Sequence, residues 1–219
     1  LAIQADVLGA AALGVRNLLC LTGDHQSFGN HPETAGVFDL DSITLIQMVK
    51  KMRDDAEFQC GDEVTRAPEL FIGAAANPYA DPFPFRAVRL AKKVDAGIDF
   101  VQTQIVFNIE RFEEFMRQCR ELGVTEKCKI LAGVAPLRSA GMAKYMKNRV
   151  AGMDVPDEVV ERMSAAGDPE DEGIDVCVEV INRVRDVEGV AGVHIMAVEW
   201  EKAVPEICRR AGLKPGSAK

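Results

Sequence analysis

Five short apolar runs, each followed by a segment with helical spacing, set the strongest limit on the fold of this chain. Their richness in Val, Ile and Leu is typical of strands buried on both faces. Strands that alternate with helices form βα units around a parallel sheet. We therefore predict an α/β protein with strands at 17–21 (NLLCL), 69–75 (ELFIGAA), 100–107 (FVQTQIVF), 129–135 (KILAGVA) and 193–198 (VHIMAV).

Helix signals fill the gaps between these runs. Asp41 is a plausible N-cap, since Ile43, Ile46, Val49 and Met52 follow it at three-residue intervals. Apolar stripes and Gly stops predict further helices over 86–96, 111–122, 176–187 and 203–211, and two between 139 and 166, the second starting at Pro156. The acidic run at 168–172 is interpreted as a solvated linker that favours a helix start.

Two architectures accommodate five βα strands in the single domain expected over 1–219: an open doubly wound sheet, or the last part of an eight-unit barrel. The opening LAIQADVLGAAALG is typical of the middle of a helix, which implies an upstream strand. We therefore expect a fragment or processed product, and predict a (β/α)8 TIM barrel that lacks its first three strands and keeps strands 4–8. Five barrel strands alone have two unpaired edges, so the fragment should not be stable by itself.

Composition excludes several classes of protein. Lys+Arg number 26 against 34 for Asp+Glu, and this net charge of −8 argues against nucleic acid or an anionic membrane surface as partner. No apolar run approaches the roughly 18 residues of a membrane helix, and no signal peptide is visible, so we expect a cytoplasmic protein. The six cysteines include no C-x-x-C pair, which argues against a local zinc or iron–sulfur site and favours reduced, buried thiols.

Two candidate functional side chains lie after or towards the carboxyl end of a predicted strand, where parallel βα proteins collect their reactive groups. Asp24 follows the first strand after Gly23, and either acts on a ligand or caps the next loop. Gln102 and Gln104 alternate on one face of the third strand. Gln104, nearer the carboxyl end, offers an amide donor and acceptor to a polar heterocycle, or else bonds neighbouring strand side chains.

A basic cluster, Arg86, Arg89, Lys92 and Lys93, stands on the helix after the second strand. It either receives a phosphate or forms an ordinary solvated face. His25 and His31 flank a loop without a third metal ligand, so we interpret them as hydrogen-bonding loop residues and expect no metal site. No dinucleotide-binding, Walker or G-x-S-x-G motif is present, which removes the usual support for those enzyme classes.

Taken together, these stretches resemble the methylenetetrahydrofolate reductase family. The similarity runs in one order along nearly the whole chain, and the set is specific although no single motif would suffice. The matching segments are 4–10 (QADVLGA), 13–19 (LGVRNLL), 21–24 (LTGD), 38–42 (FDLDS), 73–78 (GAAANP), 93–97 (KVDAG), 103–104 (TQ) and 131–134 (LAGV).

The resemblance implies a flavin-containing (β/α)8 barrel that reduces 5,10-methylenetetrahydrofolate to 5-methyltetrahydrofolate. By this match Thr22, Gly23 and Asp24 form the turn after the fourth barrel strand, which faces flavin and folate. The Asp24 charge would favour the cationic iminium form of the substrate, the form that accepts hydride. Gln104 matches the glutamine that binds the folate and, in the other half-reaction, the nicotinamide.

The resemblance also assigns the cofactor contacts. Lys93 matches a flavin-contacting lysine, and Asn77, Arg89 and Lys92 match other flavin contacts by their neighbourhood. The implied cofactor is FAD, with FMN as the alternative, and NADH or another reduced donor is the co-substrate. A folate is the implied substrate, and a homo-oligomer or a small partner subunit remains open, because the loop at 24–36 resembles anaerobic and acetogen-type members.

Departures from the family pattern limit these expectations. The general acid, a glutamate on the first barrel strand, has no counterpart, so this fragment alone is expected to be inactive. Trp200 stands where the family often has Arg, Asp81 where others carry His, and Asp39 and Arg86 differ at flavin-lining positions. The alternative is a non-catalytic barrel subunit or a truncated remnant that serves assembly. An unrelated barrel lyase or aldolase needs a Schiff-base lysine inside a strand, and the predicted strands offer none.

Overall fold

A parallel sheet with its strands in chain order organises the protein. The computed structural model describes residues 1–214. Its sheet has five strands in the order β1-β2-β3-β4-β5. A doubly wound sheet reverses its strand order at a switch point, whereas barrel strands follow one another as these do. The strands are β1 (Asn17–Cys20), β2 (Phe71–Ala76), β3 (Phe100–Ile105), β4 (Lys129–Val134) and β5 (Val190–Ile195).

Helices connect the strands as the alternating pattern predicts. The two 3-10 turns in the described part span Gln26–Phe28 and Glu201–Ala203. The helices there are α1 (Ala2–Ala12), α2 (Ser42–Asp54), α3 (Phe85–Ala96), α4 (Ile109–Glu121), α5 (Val124–Lys127), α6 (Ala140–Arg149), α7 (Asp157–Ala165), α8 (Pro169–Arg185) and α9 (Val204–Arg210).

The chain divides into two compact units. Unit 1 comprises Leu1–Ala75 and Arg89–Val101, and unit 2 comprises Ala76–Val88 and the described residues from Gln102 onward. The single domain expected over 1–219 stays a prediction, and its residues 215–219 lie outside the described residues.

Unit 1 packs α2 under a parallel pair of strands. β1 and β2 align with Asn17 opposite Phe71. Ile46 and Met52 of α2 and Ile72 of β2 are fully buried, which confirms the predicted apolar stripe. Asp41 is the N-cap, as expected, and forms a capping box with Thr44, so the start of α2 is fixed by two reciprocal hydrogen bonds.

Among the described residues of unit 2, the largest fully buried side chains are Phe112 and Phe115 of α4, and Met116 of the same helix is fully buried as well. The helix is capped by Asn108, whose side chain accepts a hydrogen bond from the Arg111 N–H. The parallel pair of β4 and β5 shifts register after Ile130. Aromatic and sulfur-containing side chains thus fill this part of the core, as the stripe at 111–122 predicts, but Leu122 at the end of the stripe is exposed.

Two elements differ from the sequence predictions by more than two residues. β5 lies at Val190–Ile195 rather than 193–198, and Val198 is exposed, because the apolar run continues past the end of the strand. The acidic run at 168–172 is not a linker but the start of α8. Asp168 accepts hydrogen bonds from the amides of Glu170 and Asp171, and the following acids favour the positive end of the helix dipole.

The cysteines are free thiols, as expected. Cys20, Cys119, Cys128 and Cys177 are buried, Cys208 is half-buried and Cys60 is exposed. Burial raises the pKa of the Cys20 thiol to about 11 and that of Cys119 and of Cys177 to about 12. Within residues 1–214, no cluster of His, Cys, Asp and Glu has the arrangement of a metal site, and no helix is long and apolar enough to cross a membrane.

Candidate active site

The turn after β1 is tied to the start of α2. The Thr22 Oγ1 atom accepts a hydrogen bond from the Ser42 N–H at 2.9 Å. Ser42 is the first residue of α2, so this bond satisfies one of the amides that a helix N-terminus leaves unpaired. Gly23 adopts φ +81°, a backbone conformation that other residues rarely take. The sequence predicts this turn as a ligand-facing element, and the structure gives it a defined backbone.

Asp24 is exposed at the end of this turn. The sequence leaves open whether it caps the loop or acts on a ligand. The next short helix, Gln26–Phe28, is capped by His25, whose side chain accepts a hydrogen bond from the Ser27 N–H. The loop after the turn is therefore capped by His25, which is the role that the capping alternative gives to Asp24. His31 bonds Asn30 at 2.8 Å, so both histidines are loop hydrogen-bonding residues, as predicted.

Lys93 is a charged residue of unit 1 that is buried. Its side chain lies on α3 and is only 8% exposed. The Nζ atom donates a hydrogen bond of 2.7 Å to the carbonyl oxygen of Ala75, near the carboxyl end of β2. Burial, together with the charge of Arg89, lowers the pKa of the ammonium group, while the charge of Asp41 opposes this. A buried cation held by one carbonyl group is well placed to receive an anionic or acceptor group.

The other basic residues of α3 differ in exposure. Arg89 is half-buried and stands four positions before Lys93, on the same face of the helix. Lys92 is exposed. The structure thus separates exposed Lys92 from Arg89 and Lys93, which are withdrawn from solvent. Ligand binding by this basic cluster stays a prediction.

Asp41 adds an acidic group to this site. Hydrogen bonds from Thr44 lower the pKa of its carboxyl group, and the charge of Arg89 lowers it further. The cap of α2 therefore acts electrostatically on both Arg89 and Lys93. The sequence identifies Asp41 only as a cap. One general signal could have placed Asp41 near the site. In βα units a helix begins at the sheet edge where the preceding strand ends.

Asn77 lies in unit 2, directly after β2. Its Oδ1 atom accepts a hydrogen bond from the Tyr79 N–H at 2.9 Å. Its Nδ2 atom lies against Gly152, where a Cβ atom would come within 1.9 Å of it. The carboxamide is therefore held by a hydrogen bond at its oxygen and lies close against Gly152 at its nitrogen.

Gln104 lies on the face of β3 that the alternation predicts. Gln102 and Gln104 are half-buried, while Val101, Thr103 and Ile105 between and beside them are buried. The Gln104 Oε1 atom accepts a hydrogen bond from the Ile105 N–H at 3.0 Å. The expected alternative was a bond to a side chain of a neighbouring strand, and the observed partner is the backbone instead.

A side-chain bridge joins β3 and β4 beside Gln104. The Thr103 Oγ1 atom accepts a hydrogen bond from the Gly133 N–H at 2.9 Å and donates one to the Gln104 carbonyl oxygen at 2.9 Å. The hydroxyl group thus links the backbone of β4 to the backbone of β3. This bridge is not visible in the sequence, because it depends on strand register.

Comparison with known proteins decides the family. A family model described as methylenetetrahydrofolate reductase matches residues 1–212. The chain belongs to the methylenetetrahydrofolate reductase family. This membership confirms the resemblance stated from the sequence motifs.

Curated relatives show how much of the reductase the chain spans. It is 26% identical over 212 residues to "Probable methylenetetrahydrofolate reductase (NADPH)" of Caenorhabditis elegans, covering 93% of this chain and 29% of that protein. It is 30% identical to "Methylenetetrahydrofolate reductase 2" of Schizosaccharomyces pombe, covering 93% and 32%. For the Escherichia coli 5,10-methylenetetrahydrofolate reductase the identity is 23%, and the coverage 93% and 63%. The chain thus spans about a third of the eukaryotic reductases.

A solved structure supports the fold of this reductase family member. It is an "Uncharacterized protein from Clostridium thermocellum binds two copies of 5-methyl-5,6,7,8-tetrahydrofolic acid", with a TM-score of 0.51 and 16% identity. The match covers 66% of this chain and 53% of that one. At this identity the likeness concerns the fold, an α/β architecture with a parallel sheet.

Proposed function

We propose that the protein reduces 5,10-methylenetetrahydrofolate to 5-methyltetrahydrofolate with a bound flavin. The observation that carries the proposal is the buried Lys93 ammonium group at the end of β2, in a chain of the methylenetetrahydrofolate reductase family. Relatives are named as reductases with NADH or NADPH, and the Clostridium protein is described as binding 5-methyltetrahydrofolate. These names favour a reduced nicotinamide as donor and a folate as substrate.

The residues around Lys93 fit a flavin nucleotide. A buried ammonium group beside Arg89 loses solvation that an anionic or acceptor group of a ligand restores. The proposed flavin contacts of unit 1 are Lys93, Arg89 and Lys92 on α3, and Thr22, Gly23 and Asp24 in the turn after β1. In unit 2 the proposed flavin contact is Asn77, in the segment after β2. FAD is the proposed cofactor and FMN the alternative, and when bound the flavin supplies hydride transfer.

Asp24 and Gln104 are the proposed substrate-binding groups, and Asp24 is also the proposed catalytic one. Each belongs to a strand or the turn after it in a parallel sheet, where ligands bind at the carboxyl ends. The Asp24 carboxylate stabilises the positive charge of the iminium form of the substrate. The Gln104 amide binds the pterin ring through paired donor and acceptor atoms.

The proposed architecture is a (β/α)8 barrel of which β1 to β5 are strands 4–8. The consecutive strand order supports it. In unit 1, α1 is rich in apolar residues and leaves Leu1, Ile3 and Leu13 exposed, and Leu19 of β1 is also exposed. Such surfaces are normally covered. Further βα units pairing with β1 would cover them and supply the general acid, so we expect this chain to be inactive without those units.

Two general properties complete the proposal. The free, largely buried cysteines suit a reducing compartment, which supports a cytoplasmic location. A homo-oligomer or a small partner subunit stays a prediction of the sequence resemblance.

The test uses the full product of the reading frame that encodes the chain. We expect the purified protein to be yellow and, once its flavin is reduced anaerobically, to reoxidise on addition of methylenetetrahydrofolate. A protein that takes up neither FAD nor FMN contradicts the proposal. A protein that binds flavin but is not reoxidised by the folate supports the alternative of a non-catalytic assembly subunit.

Two variants test the residue roles in this assay. Asp24→Asn removes the charge with little change in volume, so we expect it to slow reoxidation by the folate at least tenfold and to change flavin affinity less. Gln104→Ala should weaken folate binding in titration by about tenfold, the value of one good hydrogen bond. Asp62→Asn, an exposed carboxylate elsewhere in unit 1, is the control. Unchanged folate kinetics in Asp24→Asn would show that this carboxylate is structural.

A further inference from the structure

The segment between α6 and α7, residues 150–156, is anchored by one carboxylate. The Asp154 Oδ2 atom accepts hydrogen bonds from Asn108 Nδ2 and from Arg111 Nη1, each at 3.1 Å. Its neighbour Val155 is 3% exposed and belongs to a core cluster that includes Ile105. The segment is thus fixed to the start of α4 by charge-assisted hydrogen bonds and to the core by an apolar side chain.

The same hydrogen-bond network reaches Asn77. The backbone carbonyl of Asn108 accepts a hydrogen bond of 3.1 Å from the hydroxyl group of Tyr79, which is 4% exposed. The backbone N–H of Tyr79 in turn donates to the Asn77 Oδ1 atom. Asp154 is therefore linked through Asn108 and Tyr79 to the oxygen end of the Asn77 carboxamide.

Gly152 contacts the other end of that carboxamide. It adopts φ +74°, and a Cβ atom there would lie 1.9 Å from Asn77 Nδ2 and 3.1 Å from Cγ. A contact of 1.9 Å is far shorter than two nonbonded atoms allow, so any other residue would force Asn77 to move. The absence of a side chain at this position is what lets the amide group keep its orientation.

We propose that the segment 150–156 positions Asn77 for the cofactor, with Gly152 as the contact and Asp154 as the anchor. The inference rests on the proposed function only where it names a flavin as the ligand. Gly152 and Asp154 are positioning residues, because they act through the Asn77 carboxamide. This segment follows β4 in the chain, whereas Asn77 follows β2. Neither stretch of sequence taken alone therefore predicts that the segment positions Asn77.

A pair of glycine variants separates this role from backbone strain. Gly123 has φ +67° with no atom within 4 Å of a Cβ, so Gly123→Ala carries the same strain without the clash. We expect Gly152→Ala to raise the flavin Kd at least tenfold and Gly123→Ala to leave it within twofold. In an Asn77→Ala background, Gly152→Ala should have no further effect, since the atoms it displaces are gone. Equal effects of both glycine variants, or an undiminished effect in that background, would overturn the proposal.

A direct readout of Asn77 keeps the test independent of the ligand. The side-chain NH2 resonance of Asn77, assigned by its loss in Asn77→Ala, should move in Gly152→Ala and stay in place in Gly123→Ala. If the unsubstituted protein binds no flavin, the proposed function fails, and this resonance alone decides the positioning of Asn77. An unmoved resonance in Gly152→Ala overturns the inference even where flavin binding is normal.

The anchor is tested by a conservative rescue. Asp154→Ala removes both acceptor bonds, so we expect a five- to tenfold rise in flavin Kd and a shifted Asn77 resonance. Asp154→Asn keeps an acceptor oxygen for Asn108 and Arg111 and should restore most of the affinity. Thermal melts of each variant show whether the fold is intact. Wild-type affinity and an unshifted resonance in a folded Asp154→Ala would refute the anchoring role.

Discussion

Replacing Lys93 by Met should separate ligand binding from stability. Met keeps the volume and shape of the lysine stem but removes the ammonium group that bonds the Ala75 carbonyl at 2.7 Å. A hydrogen bond from a charged group contributes about 1.5–3 kcal/mol, so losing one to the flavin should raise Kd by about 10- to 150-fold. Flavin titration with a fluorescence readout measures this directly.

The stability of the same variant should hardly fall. Burial lowers the pKa of Lys93 below its ordinary value of 10.5, which means that folding works against the charged form. Removing the charge relieves that cost, which offsets most of the about 1.5–3 kcal/mol lost with the charged hydrogen bond. Urea denaturation at pH 7 should therefore give a free energy of unfolding within about 1 kcal/mol of the wild-type value.

The pH dependence has a defined sign. Between the lowered pKa of folded Lys93 and 10.5, the unfolded chain binds more protons than the folded protein. The wild-type protein should therefore gain stability over that window relative to Lys93→Met. Lys144→Met, at an exposed position on α6, should show neither effect. A loss above about 2 kcal/mol at pH 7 with unchanged flavin affinity would refute the reasoning and make Lys93 structural.

Two further predictions concern the stability of unit 1. Asp99→Ala should lower the free energy of unfolding by about 2–3 kcal/mol, since one carboxylate oxygen accepts hydrogen bonds from the Ile72 N–H at 2.7 Å and from Arg53 at 2.6 Å. Gly73→Ala should lower it by about 1–3 kcal/mol, because a Cβ there would lie 2.2 Å from the Phe100 ring. Urea denaturation measures both.

Each of these has its own control. Asp62→Ala, an exposed carboxylate, should change stability by less than about 0.5 kcal/mol, and an equal loss would show that the Asp99 bonds contribute nothing special. Phe100→Leu should relieve much of the Gly73→Ala defect by making room for the methyl group. If the double variant is as unstable as the two single losses added together, steric overlap is not the cause.

The strands and caps were the most predictable parts of the fold. β1 to β4 begin or end within two residues of the predicted runs, because continuous apolar stretches end where turn residues begin. The start of α2 at Asp41 was equally clear, since capping chemistry is local. β5 was displaced by three residues because apolar character at its end continues into a loop.

The candidate site was only partly predictable. Sequence spacing identified the basic cluster of α3 but could not tell buried Lys93 from exposed Lys92, since burial depends on packing beneath β2. The hydrogen bond between Asn108 and Asp154 joins residues 46 positions apart, and no local sequence pattern encodes it. Asn108 taken alone is a cap signal, since it stands directly before a helical segment. The roles of Asp24 and Gln104 stay predictions.

Lys93 reaches the end of β2 from within a helix rather than from a loop. Its neighbours Leu90 and Val94 are almost completely buried. The packing of α3 therefore determines the position of the ammonium group. Replacing Leu90 or Val94 by a smaller residue should shift α3 and move the Lys93 ammonium group away from the Ala75 carbonyl. Affinity for the proposed flavin should then depend on buried apolar residues that never touch it.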